Sequence, residues 1–193
     1  MSAYRCIVAD PPWAPRDKLP GPTRGAVRQY PVMPTSAICS FLVDQHIQVA
    51  DDAILFLWRL ASMQRDALDV ASAWGFDDKS EVVWEKLTKR GKPWFGMGRT
   101  VRASHETALV CVRGRASELI VDHGVRSVFE APVPVGADGR YIHSAKPDAF
   151  FEQIVEPLIG GSGHGGPCLE IFARRRRGGW DAIGNQLPEA RAA

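Results

Sequence analysis

Apolar residues occur in this chain as short unbroken runs and as longer stretches in which they recur every three to four positions. The unbroken runs predict buried β-strands, and the helical spacing predicts amphipathic helices. Strands are predicted at residues 6–9, 53–58, 81–84, 108–112 and 168–173. Helices are predicted between them at residues 35–43, 62–74 and 147–158. Strands that alternate with helices and are apolar throughout are typical of an α/β fold with a mostly parallel sheet and helices on both faces.

The length of 193 residues is sufficient for one domain with a full core and too short for two large ones. We therefore expect a single domain over residues 1–186, followed by a frayed tail at residues 187–193. No apolar run reaches the roughly 18 residues of a membrane span, and no signal-peptide pattern precedes the first strand, so a cytoplasmic protein without a membrane anchor is expected. The four cysteines are far apart in the sequence. We therefore expect no disulfide bonds and no bound metal.

Positive charge is concentrated in loops, although the net charge is only +2. Two long segments without a helical or strand pattern, at residues 14–30 and 86–101, each contain several cations, and a run of arginines occupies residues 174–177. The net charge alone does not indicate a nucleic-acid partner. Cations gathered in long loops and at a strand end favour contacts with phosphate or an anionic cofactor, and Arg174 is the first candidate.

The tetrapeptide Asp10, Pro11, Pro12 and Trp13 directly follows the first predicted strand. Proline has no N–H for a sheet and favours extended geometry in the residue before it, so the strand ends here in a rigid turn. In open α/β sheets, ligands bind outside the carboxyl ends of the strands, where this turn places a carboxylate and an indole. The tetrapeptide is therefore either a reaction centre or a strand-ending turn capped by Asp10, and its residues alone do not decide between the two.

Three further segments place polar residues at the ends of predicted elements. Residues 161–166 match the dinucleotide pattern G-x-G-x-x-G, but a helix precedes them and a strand follows, the reverse of what that pattern requires, so a connecting loop is predicted. Lys146 at the start of a helix opposes the helix dipole unless it meets an anion such as a ligand carboxylate. At the start of a strand, Arg102, His105 and Glu106 form either a surface cluster or an acid–base site.

Together these motifs resemble the DPPW-type adenine-N6 methyltransferases, a family that includes the catalytic mRNA adenosine methyltransferase subunit and many bacterial and phage DNA methyltransferases. The resemblance covers nearly the whole chain, in the family's order. The chain departs from the family pattern at Ile171, where leucine is usual, and in the basic residues 175–177. The matching motifs are residues 10–13, the strand at 54–58, Gly96 and Gly98 with Arg102, His105 and Glu106, the element His143, Ser144, Lys146 and Pro147, the last strand with Arg174, and the turns at 179–180 and 184–186.

The resemblance implies a Rossmann-like methyltransferase fold in permuted order, with the catalytic strand first in the chain and the cofactor strand last. It implies S-adenosylmethionine as the methyl donor. The cofactor carboxylate would meet Lys146, and Glu170 would accept hydrogen bonds from the ribose hydroxyls. The implied cofactor-binding residues are Ala9, Asp10, Lys146, Glu170, Phe172, Arg174, Asn185 and Gln186.

The same resemblance identifies Asp10, Pro11, Pro12 and Trp13 as catalytic. Asp10 and the Pro11 carbonyl would accept the two N–H groups of the adenine N6 amine and localise its lone pair, while Trp13 would stack against the base. The expected substrate contacts are Tyr30, Arg102, His105 and Glu106.

Adenine in DNA is the expected substrate, in an enzyme of prokaryotic or phage type, because the chain contains no zinc finger or added RNA-binding module. RNA is the alternative substrate, since the same active site serves either nucleic acid. A non-catalytic, nucleic-acid-binding partner subunit is the second alternative, but family members of that kind lose the acid or the cofactor residues, and this chain retains both. The resemblance further implies a homodimer.

Overall fold

A seven-stranded sheet forms the centre of the protein in its computed structural model, which describes residues 3–14, 31–98, 100–142 and 144–187. In chain order the strands are β1 Tyr4–Ala9, β2 Val49–Arg59, β3 Asp77–Leu87, β4 His105–Arg113, β5 Val128–Pro132, β6 Cys168–Ile171 and β7 Asp181–Ile183. They stand in the order β5, β3, β4, β2, β1, β6, β7. Neighbouring strands are parallel except at β4, which is antiparallel to both β2 and β3.

Side chains of the central strands alternate between two hydrophobic clusters, one on each face of the sheet. From β2, Ile54, Phe56 and Trp58 join one cluster, whereas Leu55 and Leu57 join the other. All five side chains are at most 1% exposed. Because successive residues of a strand point to opposite faces, a strand buried on both sides must be apolar without interruption. This is the physical reason that the unbroken run in β2 predicts a central strand.

Helices cover both faces of the sheet, which confirms the predicted α/β architecture. In chain order the helical segments are α1 Thr35–Asp44, a 3₁₀ turn Ala61–Met63, α2 Gln64–Ala73, a 3₁₀ turn Ala116–Leu119, a π-helical turn Phe151–Val155, α3 Glu156–Ile159 and α4 Ser162–Gly165. Helices α1 and α2 pack against the face that presents Leu55. The π-helical turn and α3 pack against the face that presents Phe56.

All five predicted strands are present, but β5 and β7 are not predicted by the apolar pattern. Strand β5 lies at one edge of the sheet, alternates between exposed and buried positions, and ends at Pro132. Strand β7 lies at the other edge, has three residues and begins with the exposed Asp181. Short edge strands bury little surface, so no unbroken apolar run marks them.

The last predicted strand is shorter than expected, because β6 ends at Ile171 and not at residue 173. Phe172 adopts a φ of +63°, a left-handed conformation that turns the backbone out of the sheet. The loop after β6 then passes close to the end of β7, where a Cβ on Gly184 would lie 2.1 Å from the carbonyl oxygen of Ala173. The absence of a side chain at Gly184 therefore allows these two loops to touch.

Strand β1 lies in the middle of the sheet, between β2 and β6. Ala9, its last residue, stands opposite Leu57 of β2 and Ile171 of β6. Since the three strands are parallel, their carboxyl ends meet at one edge, although β1 and β6 come from opposite ends of the chain. This arrangement is consistent with the permuted Rossmann-like order that the resemblance implies.

Some predicted features lie outside the described residues. They are Tyr30 with the first basic loop at residues 15–30, Arg99, His143, and residues 188–193 of the predicted frayed tail. The roles expected for these residues remain predictions. In the part of the chain that is described, none of the helices combines the length and the apolar character of a membrane-spanning segment.

Replacing Gly184 by alanine should destabilise the protein, because the added Cβ would collide with the Ala173 carbonyl oxygen. Overpacking of this kind costs roughly 1–3 kcal/mol, and each kcal/mol lowers the Tm of a chain of this size by about 2–4 °C. Differential scanning fluorimetry measures the shift. Gly178→Ala is the matched control, since no neighbouring atom lies within 4 Å of a Cβ at that position. Equal melting temperatures for the two variants would contradict the close approach of the loops.

Candidate active site

The tetrapeptide at residues 10–13 forms a tight turn at the carboxyl end of β1. The Trp13 N–H donates to the Pro11 carbonyl over 2.8 Å. The Trp13 indole N–H donates to the Trp58 carbonyl at the end of β2 over 2.9 Å, and the ring is only 4% exposed. These bonds anchor the turn to the neighbouring strand, so the position of the Asp10 carboxylate is set by the sheet.

Four oppositely charged side chains form a chain of ion pairs that begins at Asp10. Lys146 Nζ lies 2.7 Å from Asp10 Oδ1 and 3.3 Å from Glu106 Oε2. The other oxygen of Glu106 lies 2.5 Å from Lys86 Nζ. The four side chains are between 14% and 26% exposed. Two carboxylates and two ammonium groups sum to zero charge, which is the condition under which charges are tolerated away from water.

The two carboxylates of this network have pKa values shifted in opposite directions. Burial raises the pKa of Asp10, and the attraction of Lys146 does not fully offset it. Burial acts in the same direction on Glu106, but Lys146 and Lys86 together outweigh it and lower the pKa of that carboxyl. Burial disfavours the Lys146 charge, but Asp10 and Glu106 reverse this effect and raise the pKa of the lysine. Asp10 is therefore the carboxylate of the pair that accepts a proton more readily.

The anion that Lys146 meets in the structure is the protein's own. Its predicted position at the start of a helix leads to the expectation of an anionic partner, and Asp10 and Glu106 fill that role. The Lys146 ammonium also lies 5.2 Å from the centre of the Trp58 ring, within cation–π range. The expected contact between Lys146 and a cofactor carboxylate remains a prediction.

Two cavities open at the carboxyl edge of the sheet and share Asp10, Lys146, Phe172 and Arg174. The first has a volume of about 490 Å³ and extends from the tetrapeptide to the loop after β7. The second has a volume of about 560 Å³ and lies beside the loops after β5 and β6. Both volumes fall within the range typical of small-molecule sites. Asp10 therefore lies at the boundary of the two cavities.

The cavities bring most of the expected site residues together. Pro11, Pro12, Trp13, Glu106, Asn185 and Gln186 line the first cavity, and Glu170 lines the second. Ala9 is fully buried beneath Asp10. Among the described residues, Arg102 and His105 are exposed and line neither cavity. Because successive strand residues point to opposite sides, Glu106 faces the site and His105 does not.

Glu170 presents an unsatisfied acceptor beside the second cavity. Its Oε2 atom is buried and accepts no hydrogen bond from the described residues, and the guanidinium Nε of Arg177 is 3.9 Å away. Burial raises the pKa of Glu170, while Arg177 and Arg175 act in the opposite direction. A buried carboxylate oxygen without a donor is unfavourable unless a ligand supplies one. Hydroxyl groups of a ribose are donors of the required kind.

Asp148 provides an anionic partner for the basic run at residues 174–177. Its Oδ1 atom accepts from Arg177 over 2.9 Å and also contacts Arg175. The Arg177 guanidinium lies 3.6 Å from the centre of the Phe151 ring. These contacts explain how consecutive cations can stand together at a strand end. A phosphate or cofactor contact of the run remains a prediction.

The sequence does not predict the roles that three residues have in this site. Lys86 holds Glu106, Asp148 holds two arginines, and Arg59 lines the first cavity. Arg59 could have been found, because it ends β2 at the same sheet edge at which Asp10 follows β1. In the described part of the chain, no group of three or more His, Cys, Asp or Glu side chains could hold a metal ion.

In a comparison with known protein families, one family model matches most of the chain. The model is MT-A70, and it matches residues 4–186. The type II methyltransferase M.MunI of Mycoplasma sp is 26% identical over 96% of this chain and 78% of its own length. The N6-methyladenosine RNA methyltransferase MTA1 of Cryphonectria parasitica is 27% identical over 95% of the chain, which spans 52% of that protein. The N(6)-adenosine-methyltransferase subunit METTL3 of Danio rerio is 25% identical over 97% of the chain, which spans 28% of that protein.

Replacing Lys146 by methionine should destabilise the protein at neutral pH more than at acidic pH. At neutral pH the variant buries the charges of Asp10 and Glu106 with only Lys86 beside them, at a cost of about 3 kcal/mol. The lowered pKa of Glu106 means that its charge stabilises the native protein above the pKa of the unfolded chain. This stabilisation is lost as pH falls through the lower native pKa, so the missing cation matters less in acid.

Urea unfolding of both proteins near neutral pH and at about pH 3 measures this difference, since pH 3 lies below the pKa values of unperturbed Asp and Glu. Lys79→Met is the control, because Lys79 is 57% exposed and pairs only with the exposed Asp77 among the described residues. A stability gap between wild type and Lys146→Met that does not change with pH would contradict the network.

Proposed function

Because the chain belongs to the MT-A70 family of N6-adenine methyltransferases, we propose that it transfers a methyl group from S-adenosylmethionine to the N6 amine of adenine in DNA. The observation that carries this proposal is the position of Asp10. Its carboxylate lies at the end of the central strand, at the boundary shared by two cavities. A group transfer requires that the methyl donor and the acceptor lie next to each other. The boundary of the two cavities, where the Asp10 carboxylate lies, is the proposed position of that transfer.

The residues around Asp10 fit S-adenosylmethionine chemically. The cofactor supplies an electrophilic methyl group on a sulfonium. Lys146 is a mostly buried cation suited to its carboxylate, and the unsatisfied Oε2 of Glu170 is suited to the ribose hydroxyls. The remaining proposed cofactor contacts are Ala9, Asp10, Phe172, Arg174, Asn185 and Gln186. This set extends from the second cavity through the four shared residues to the loop after β7.

The proposed task of the tetrapeptide is to make the adenine amine nucleophilic. The lone pair of N6 is delocalised into the ring, so it must be localised before it can attack. Asp10 and the Pro11 carbonyl would each accept one N–H of the amine and thereby orient the lone pair. A carboxylate has about four lone-pair sites, so Asp10 can hold Lys146 and an amine N–H together. The Pro11 carbonyl can likewise accept from Trp13 and from the base.

The charge network supports a role for Asp10 in removing the proton afterwards. Methylation makes the N6 nitrogen acidic, and the raised pKa of Asp10 favours this carboxylate as acceptor. Glu106 has a lowered pKa and stays charged, so it keeps a partner for Lys146 when Asp10 becomes neutral. The proton can then pass to water.

The second basic loop is the proposed surface for the nucleic-acid backbone. It joins β3 to β4, and its base lies at Lys86 and Glu106, whose side chains belong to the charge network. Its exposed cations are Lys89, Arg90, Lys92 and Arg102. An adenine within a duplex cannot reach Asp10, so a duplex substrate would have to flip it out, whereas a single strand would not. Tyr30, His105 and Glu106 are the further proposed substrate contacts.

DNA is proposed in preference to RNA on the strength of the similarity to M.MunI, 78% of whose length aligns with this chain. RNA is the second candidate, because the relatives also include RNA methyltransferases. A non-catalytic partner subunit is disfavoured by the presence of Asp10 and Lys146 in one ion pair. Labelled methyl transfer to duplex DNA, single-stranded DNA and RNA in parallel distinguishes these candidates.

We also propose that the protein forms a homodimer in the cytoplasm, where a prokaryotic cell keeps its DNA. The exposed side chains of Phe95, Met97 and Val101 in the second basic loop support an assembly, because apolar groups gathered at a surface favour a partner. Light scattering after size-exclusion chromatography measures the oligomeric state.

Replacing Asp10 by asparagine should lower methyl transfer about 100-fold or more, because the amide is a weaker acceptor and cannot take a proton. Affinity for S-adenosylmethionine should change only by a modest factor. Transfer of labelled methyl groups and calorimetric titration of the cofactor measure the two quantities. Asp51→Asn removes an exposed carboxylate elsewhere and serves as control. Full activity of the Asp10 variant would refute the assigned role.

Replacing Glu170 by glutamine, or Lys146 by alanine, should each weaken binding of S-adenosylmethionine about tenfold, the effect of losing one charge-assisted hydrogen bond. Calorimetric titration of the purified variants measures the dissociation constants. Glu152→Gln, at an exposed position of the π-helical turn, is the matched control. An affinity equal to that of wild type in both site variants would exclude these residues from the cofactor site.

A further inference from the structure

Arg59 is a mostly buried cation in the wall of the first cavity. It ends β2, and its side chain is 13% exposed. Its Nη2 atom donates to Glu81 Oε2 over 3.1 Å. Its Nε atom is buried and donates to none of the described residues. The side chain lines the cavity beside Pro11 and Trp13 of the tetrapeptide.

The contact with Glu81 leaves the guanidinium incompletely satisfied. Arginine remains charged in proteins and offers five N–H donors in a planar fork that matches phosphate and carboxylate. Glu81 is 52% exposed and pairs through one oxygen, so water weakens this ion pair. A mostly buried cation with a free donor is unfavourable unless a second anion approaches it. Arg59 therefore has the properties of an anion-binding residue.

The strand order separates Arg59 from the proposed cofactor residues that follow β7, whereas Asp10 and Lys146 line the same cavity as Arg59. Asn185 and Gln186 follow β7, which stands three strands away from β2 in the order β7, β6, β1, β2. At the usual spacing of neighbouring strands, these ends are about 14 Å apart. Arg59 instead lies on the side of β1 that faces away from β6, next to the turn proposed to hold the adenine. The cofactor carboxylate is assigned to Lys146, so an anion that reaches Arg59 is assigned to the base-bearing substrate.

We propose that Arg59 binds a backbone phosphate of the nucleic acid at the target nucleotide, and so positions the adenine over Asp10. This inference rests on the proposed function, because it assumes a nucleic-acid substrate. In the first cavity, the tetrapeptide would then bind the base and Arg59 would bind the charged backbone. Phosphate contacts fix position and carry no sequence information, so Arg59 would act on any sequence.

The test measures how binding to DNA depends on salt. A short fluorescein-labelled oligodeoxyadenylate is titrated with protein at several salt concentrations, and anisotropy gives the dissociation constants. Arg59→Gln should weaken binding about tenfold and reduce the slope of log K against log salt by about 0.7, the value for one phosphate on a single strand. Arg59→Lys should restore the slope. A duplex and an RNA of the same length show which backbone the residue accepts.

Glu81→Gln distinguishes a phosphate contact from a purely structural ion pair. If Arg59 only joins β2 to β3 through Glu81, both single variants weaken binding alike, and the proposal is overturned. If Arg59 binds phosphate, Glu81→Gln releases the guanidinium and binding stays equal or becomes tighter. Lys79→Gln removes one exposed charge near the opposite end of β3 and should leave the slope unchanged.

The outcome for Arg59 can be separated from the outcome for the proposed function. The anisotropy measurement needs no methyl transfer, and calorimetric titration shows independently whether S-adenosylmethionine binds. An oligonucleotide that binds wild type with the Arg59-dependent slope but is never methylated would support the phosphate contact and count against the enzymatic proposal. An unchanged slope in Arg59→Gln, with methylation intact, would refute the contact alone. No binding of wild type to any of the nucleic acids would overturn both.

Discussion

The ion pair between Asp10 and Lys146 is the interaction on which the candidate site depends. It joins residues 136 positions apart, one directly after β1 and the other shortly before the π-helical turn. Either charge alone would be unfavourable in its mostly buried position. Glu106 and Lys86 extend the pair to a neutral set of four, in which Glu106 is held charged and Asp10 is left with a raised pKa. The network therefore supplies one carboxylate that accepts hydrogen bonds and protons readily, at the meeting point of two cavities.

The order of strands in the sheet makes this pairing possible. Because β1 lies between β2 and β6, the tetrapeptide that follows β1 is flanked on both sides by the ends of neighbouring strands and their loops. The loops after β6 and β7 form one wall, held close by the contact between Gly184 and Ala173. The end of β2, with Arg59, forms the other. Asn185 and Gln186, proposed for the cofactor, and Arg59, proposed for the substrate, thus lie on opposite sides of Asp10.

The apolar pattern predicts the central part of the fold and misses its edges. Unbroken runs mark strands such as β2, whose side chains are buried on both faces, whereas β5 and β7 bury too little surface to leave such a run. The position of the tetrapeptide is predictable because prolines end a strand where ligands bind. The partner of Lys146 is not, since an ion pair across 136 residues depends on tertiary packing and leaves no local pattern. The contacts of Lys86 with Glu106 and of Asp148 with two arginines cannot be predicted for the same reason.

We propose that this site places a methyl group on N6 of adenine. The most direct measurement is mass spectrometry of nucleosides from DNA and RNA that were incubated with the purified protein and S-adenosylmethionine carrying a heavy methyl group. Labelled N6-methyldeoxyadenosine from DNA is expected, in amounts that grow with time and with the concentration of the enzyme. Label in a methylated cytosine, or no label in any nucleoside while the cofactor binds normally, would contradict it.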